Sequence, residues 1–582
     1  MQEIAHGENY MTRFDSYAAT ASYPDKGSML KQLLVTFATL VLLAAAATGA
    51  HAQTFSAVYN FGSQAFDPIN PLPSGIIAQG RDGAIYSGAP GGANSLGAAY
   101  KVTPSGTLTT LYNFGNTLSD GVDPYGGLTL GTDGNFYGTT NGLEFASFTT
   151  VFKMTSSGGL TTLYTFTDGT DGAGPMAPPI QGTDGNFYGT ASTSQSGYGT
   201  IYKITPAGVF TLLYQFDITH GEEPDGPLVQ GTDGNFYGTT KYGGANNVGV
   251  IFKITSAGKL TVLFNFDNTH GAYPQSLLVQ GSDGTFYGTT VGGGTNSYGV
   301  VFKVTPTGKL TVLHNMDYAT DGANPWAGLM QATDGNFYGA NANGGAASSG
   351  CPSGCGTLFK ITKTGVFSVL YNFDLTTGEL PYTTMLQHTN GILYGTTQLG
   401  GTGNVDPFCA AGDCGVLYSL NIGAVPFVSL VSTTAKIGKT VEVLGQGFTG
   451  ATAVAFNGTA ASFKVASDTY LTTTVPTGAK TGPVTVTTPG GKRTSNKTFR
   501  VTPQFTSFTP PSGAVGTLVT ITGVSLTQTT KVTFGGVAAT SFTVNSDTQV
   551  TATVPTGAKT GKIVITTPGG TATSATNFTV TP

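Results

Sequence analysis

The chain has 582 residues, enough for several domains, and only 9% are charged against roughly 25% in ordinary globular chains. Hydrophobic residues at 39%, with 35 Phe and 26 Tyr, exclude an intrinsically disordered chain. A formal net charge of −5 excludes the clustered positive footprint of a nucleic-acid-binding protein, and no basic amphipathic helix suggests binding at a membrane surface.

Residues 1–28 are polar and patternless, a non-structural upstream extension, and Met29 reads as the true start. Residues 29–52 read as a signal peptide. Lys31 is a short positive region, Leu33 to Ala47 is apolar, and Ala50-His51-Ala52 fits the small-x-small cleavage rule. The apolar stretch is short for a membrane span, and no later stretch is long and apolar enough, so no span is expected after cleavage. Without residues 1–52 the chain holds 22 cations and 26 anions. Gly, Asp-Gly and Pro break the rest into short apolar runs, the pattern of an all-β chain.

Residues 53–423 are a tandem repeat. The run Gly231 to Thr240 (GTDGNFYGTT) returns with its Asp at 82, 133, 184, 233, 283 and 334, and Asn390 takes its place in a seventh copy. A period near fifty residues belongs to propeller arrays. Each unit holds four apolar segments, A to D; in the fourth unit they are 228–230, 235–240, 250–254 and 260–266. Tight turns with Asp-Gly or Gly join A to B and C to D. Segments B and C are apolar on both faces, as in a sheet packed between two others, and Gly238 is expected to let neighbouring blades approach. Thr54 to Phe61 matches segment D, while the array ends at Leu420 on a segment C. The opening strand therefore completes the last unit, and the prediction is a closed seven-bladed β-propeller rather than an open solenoid.

Segments of the GTVFKITP, LYNF and QGTDGNFYGTT kinds resemble the Gloeo/Verruco (GloVer) tandem repeat of exported bacterial proteins. The resemblance covers residues 53–423 and implies an extracytoplasmic protein with no defined activity. Secreted, periplasmic and cell-surface locations all fit it.

After Gly423, Thr and Val dominate. Val475 to Gly482 (VPTGAKTG) recurs unchanged at Val554 to Gly561, so residues 424–502 and 503–582 read as two copies of one small immunoglobulin-like β-sandwich. Gly516 to Gly523 (GTLVTITG) and Lys531 to Gly536 (KVTFGG) resemble IPT/TIG domains, which implies spacers or interaction modules.

Reversal of direction at each hairpin puts the A–B and C–D turns on one face of the disc. The long D–A and B–C connections fall on the other, the default functional surface. The residue entering strand A beside the axis is Ser74, Tyr125, Met176, Asp225, Gln275, Trp326 and Tyr382 in successive copies. Tyr125, Tyr382 and Trp326, the single Trp, are candidate stacking platforms for a glycan or protein ligand. Asp225 is a candidate acceptor for hydroxyl groups. The alternative is that these rings pack the channel mouth.

His220 and His270, each near an Asp, lie on different units. Turn chemistry explains them better than a metal, and no metal or cofactor is expected. Cys351, Cys355, Cys409 and Cys414 fall in the last two B–C connections. Export favours disulfides Cys351–Cys355 and Cys409–Cys414 over cross-pairing or a zinc site. The Lys of segment C recurs in six copies and is architectural. No catalytic constellation is evident, so the expectation is binding without catalysis. The alternative is a glycan-degrading enzyme using Glu222 and Glu379, loop carboxylates of different blades.

Overall fold

A two-residue inner strand, two buried five-residue strands and a half-exposed outer strand repeat around a ring. The computed structural model describes residues 53–582 except 72–75, 94, 118, 143–148, 195–196, 408 and 410–412. The extension at 1–28, the signal peptide at 29–52 and Ser74 lie outside the described residues. Blade 4 is Val229–Gln230 (A), Phe236–Thr240 (B), Val250–Ile254 (C) and Leu260–Asn265 (D), an antiparallel sheet in the order A–B–C–D. In the seventh sheet the opening strand Thr54–Asn60 takes the place of D. It pairs antiparallel with Val416–Asn421, from Thr54↔Asn421 to Asn60↔Val416. The array is a closed seven-bladed propeller.

The Phe-Tyr pair of strand B explains how blades stack. The two rings point to opposite faces of the sheet. The Tyr of one blade therefore lies on the Phe of the next: Tyr86 on Phe136, Tyr137 on Phe187 and Tyr188 on Phe236, with centroids 4.0, 3.7 and 3.9 Å apart. Such stacks contribute about 0.5–1.5 kcal/mol each beyond area burial. The turn Asp locks the Tyr from below. Asp133 accepts hydrogen bonds from the Asn135 amide and side chain and, at 2.8 Å, from the Tyr137 hydroxyl. Gly238 has another role than the one its position suggests. A side chain there would meet Phe252 and Leu228 of its own blade at 2.6 and 2.9 Å, so the bare position admits a ring within the sheet rather than a neighbouring blade.

Strand A faces the axis, where blades converge. A side chain at Gly126 would meet Ala177 and Pro178 of the next blade at 2.7 Å. Along the turn rim, a Gln of strand A accepts a backbone N–H from the preceding blade's turn. Thr132 donates to Gln181 at 2.8 Å, Thr183 to Gln230 at 2.9 Å and, across the closing seam, Thr389 to Gln79 at 3.0 Å. Blade 2 carries Leu130 at this position, so the seam between blades 1 and 2 lacks the clasp.

That seam receives the first C-terminal domain. Arg81, where other blades have Thr, Ser or Ala-Thr sequences, pairs with Glu442 at 2.5 Å and lies over the Tyr470 ring. The Thr469 hydroxyl donates to the Arg81 carbonyl at 2.7 Å, and the Gln446 amide donates to Thr389 of blade 7 at 2.9 Å. Arg500 reaches the Thr232 carbonyl of blade 4 at 2.7 Å. The domain thus spans the rim of the turn face, and a free spacer is not what the fold provides there. Its strands form two four-stranded sheets and a separate short parallel pair (Thr434↔Arg500), while the last domain has two sheets and carries its parallel pair (Ser512↔Thr579) within the larger one. Thr481 donates to Gln528 at 2.7 Å between the two domains.

Among the described residues no helix is long and apolar enough to cross a membrane.

Candidate functional site

The long-connection face is organised by an elbow that recurs at every seam. The residue before the loop Pro is in the left-handed region in all seven blades: Asn70, Asp123, Gly174, Glu223, Tyr273, Asn324 and Leu380 have φ between 53 and 60°. Only one of the seven is Gly. For the others this conformation costs about 1 kcal/mol or more each, and such strain is characteristic of functional sites. Backbone hydrogen bonds hold it. Asp123 donates its N–H to Leu96 in the preceding blade's B–C connection and accepts from Asn141 of its own blade, both at 2.8 Å. Leu380 and Asn70 donate in the same way to the carbonyls of Cys355 and Cys414.

Those two carbonyls belong to disulfide loops. Cys351 is bonded to Cys355 and Cys409 to Cys414, with Cα atoms 5.5 and 5.6 Å apart, the pairing expected from the sequence. The bridges stiffen the connections that hold the elbows of blades 7 and 1, at the seams flanking the composite blade.

After three of the elbows a Pro-centred turn presents the next side chain. Tyr125 donates its N–H to Asp123, Asp225 to Glu223 and Trp326 to Asn324, at 2.8, 3.0 and 2.8 Å. The four candidates, far apart in sequence from Tyr125 to Tyr382, converge. Trp326 and Tyr382 meet edge to face with centroids 5.5 Å apart. Tyr125 is in electrostatic reach of Asp123, Tyr382 and Asp225, and burial is the main cause of its raised pKa. Tyr125, Trp326 and Tyr382 remain partly exposed, whereas Asp225 is only 7% exposed.

Asp225 is pushed up to about 6 by burial, against which the Ser192 hydroxyl and Lys241 act only partially. Asp123, which the sequence does not single out, is also pushed to about 6 by burial, and its Oδ1 has no hydrogen-bond partner. At the rim Lys241 pairs with Glu223 at 2.9 Å and lies over the Tyr242 ring, 4.8 Å from its centroid. The mouth therefore combines three rings with two desolvated carboxyl groups.

The remaining candidates are occupied by loop structure. His220 and His270 bind Asp217 and Asp267 within their own turns at 2.8 and 2.9 Å. Among the described residues no three His, Cys, Asp or Glu side chains converge as a metal site. Glu222 and Glu379 have separate acidic neighbours, Glu223 and Asp413, which together with burial raise their pKa values. Asp67, Asp120 and Asp171 accept hydroxyl hydrogen bonds from Tyr59, Tyr112 and Tyr164 at 2.7, 2.6 and 2.9 Å, pinning the D–A connections to strand D. The strand-C Lys lies at the turn-face end, where Lys101 pairs with Asp82 at 2.9 Å.

Fold and site together define a closed-ring repeat propeller with an aromatic and acidic mouth on one face. The profile of the Gloeobacter/Verrucomicrobia repeat matches residues 47–193, 178–409 and 226–468, well over half of the chain, and the chain belongs to that repeat family. The IPT/TIG domain profile matches residues 503–580 alone. The reading of residues 424–502 as a second IPT/TIG copy is corrected accordingly. That segment shares the two-sheet arrangement, but its departing strand sequence, such as Val441-Glu442-Val443-Leu444, does not match the profile.

No curated protein matches the chain. Among solved structures, a fungal alcohol oxidase of the AA5 family, in complex with copper, is 15% identical, over 75% of this chain and 99% of that one, with a TM-score of 0.44. A putative oxidoreductase (glucose dehydrogenase) from Thermus thermophilus is 15% identical over 63% of this chain and 99% of its own, with a TM-score of 0.32. A surface glycan-binding protein from Prevotella bryantii is 20% identical over 26% and 41%, with a TM-score of 0.20.

Proposed function

We propose that this is an exported, non-catalytic binding protein that holds a glycan at the long-connection mouth of its propeller. The observation that carries the reading is the convergence of Tyr125, Trp326 and Tyr382 around buried Asp225, on strained elbows that most blades build without Gly. Partly exposed rings offer flat apolar faces, and a carboxylate accepts hydroxyl hydrogen bonds, the pair of features a sugar ring requires. Export to an oxidising compartment is supported by the leader at 29–52 and by the two disulfides. Binding without turnover is favoured because Glu222 and Glu379 sit among different neighbours on blades 4 and 7, not as a facing pair.

Glycan-array binding by the mature chain and a Trp326→Ala variant tests the reading. The expected result is specific glycan binding weakened about tenfold, the equivalent of one ring contact near 1.4 kcal/mol. Equal binding by both proteins, or none by either, would overturn it.

A further inference from the structure

Charge is sorted between the faces of the propeller. Of the twenty-two described Asp and Glu residues in the ring, sixteen lie in the D–A and B–C connections. Of its eleven Lys and Arg residues only Lys241 lies there; the other ten are on strand C, its turn or the A–B turn. The face that carries the mouth is thus strongly acidic, and such a surface attracts cations. Most outer carboxylates are committed to Tyr, His or Thr partners of their own loops. The two at the mouth are not. Asp123 leaves Oδ1 unpartnered, and Asp225 is 7% exposed, its burial partly offset by the Ser192 hydroxyl. Ser192 is 6% exposed, so a buried hydroxyl and a buried carboxylate stand together at the mouth.

We infer that the group recognised at this mouth is a positively charged amine, which makes the ligand an amino sugar with a free ammonium; the inference rests on the glycan reading above. An ammonium brings three donors to carboxylate and hydroxyl acceptors and is attracted to the faces of Trp and Tyr rings. The same face already holds one amine in this way, for Lys241 lies between the Glu223 carboxylate and the Tyr242 ring. A divalent cation would ask for several converging oxygens, and among the described residues no three acidic or metal-binding side chains converge.

Isothermal titration of the mature chain with a glucosamine tetramer, its fully N-acetylated counterpart and a glucose tetramer tests the inference. The expected result is binding of the glucosamine tetramer at least tenfold tighter than of the other two. Asp225→Asn and Asp123→Asn should each erase that preference; the second keeps a residue at ease with φ > 0. Asp168→Asn, which removes one exposed charge from the same face away from the mouth, should keep it. Equal binding of the neutral tetramers, or equal loss in Asp168→Asn, would overturn the amine while leaving the glycan reading intact. Binding of other glycans on the array with none of these three would do the same. Absence of any glycan binding would remove both.

Discussion

The turn face of the ring and its long-connection face are made from the same seven repeats by different means. On the turn face the residues hardly vary. Asp-Gly turns, Tyr hydroxyls and Gln clasps join one blade to the next, and a C-terminal domain docks where one clasp is missing. On the other face the backbone is conserved in shape, with seven elbows at nearly one φ, while the side chains change in every blade. A rigid frame with variable tips is how loops on a scaffold acquire function. The contrast separates residues that hold the ring from residues that vary from blade to blade.

Four changes bear on that contrast, in order of expected effect. Removing residues 53–61 deletes the strand that completes blade 7, leaving a buried edge unpaired. The expected outcome in a circular-dichroism melt is loss of the cooperative transition; an unchanged melt would mean that the ring does not depend on closure. Replacing all four Cys by Ser should lower stability by about 2 kcal/mol per bridge, the value for loops this short. The loss should show as faster amide exchange at the elbows of blades 7 and 1, with the turn face unaffected.

Asp225 supplies the third. Its folded pKa of about 6 lies above the ordinary 3.8, so its contribution favours the folded state at low pH. That contribution is lost as pH rises through about 6. Asp225→Asn should therefore raise stability at pH 8 by about 3 kcal/mol at most and change little at pH 4, in melts across that range, while ligand binding weakens. Lys241, Glu223, Ser192 and Tyr125 are the charged and polar groups that face it. A variant that loses stability at both pH values would make Asp225 a structural residue. The smallest effect belongs to the turn face. Arg81→Ala should cost about 1 kcal/mol, since the pair with Glu442 is still reached by solvent on the Arg81 side. Its readout is easier proteolysis between the propeller and residue 424 with glycan binding unchanged.

Much of this was legible in the amino-acid sequence, and for definite reasons. The Asp-Gly turns, the Phe-Tyr pairs and the opening strand that matches segment D are local patterns, and they imply blades, stacking and closure directly. The four mouth residues follow from register once the ring is closed. The elbows do not, because Tyr273 and Leu380 are residues whose own preferences oppose φ > 0, and tertiary hydrogen bonds override them. Asp123 was hidden for the same reason: before Pro it reads as a turn residue, and only the ring shows it buried. Docking of the first C-terminal domain left a visible trace, Arg81 and Leu130 breaking the repeat, but its partner Glu442 lies 361 residues away.

The direct test of the separation of faces is amide hydrogen exchange with and without a saturating glycan found on the array. Slower exchange at the elbow segments 121–126, 222–227, 322–328 and 378–384, with the A–B turns unchanged, is the predicted result. Protection of the A–B turns or the C-terminal domains, with the elbows unchanged, would contradict it.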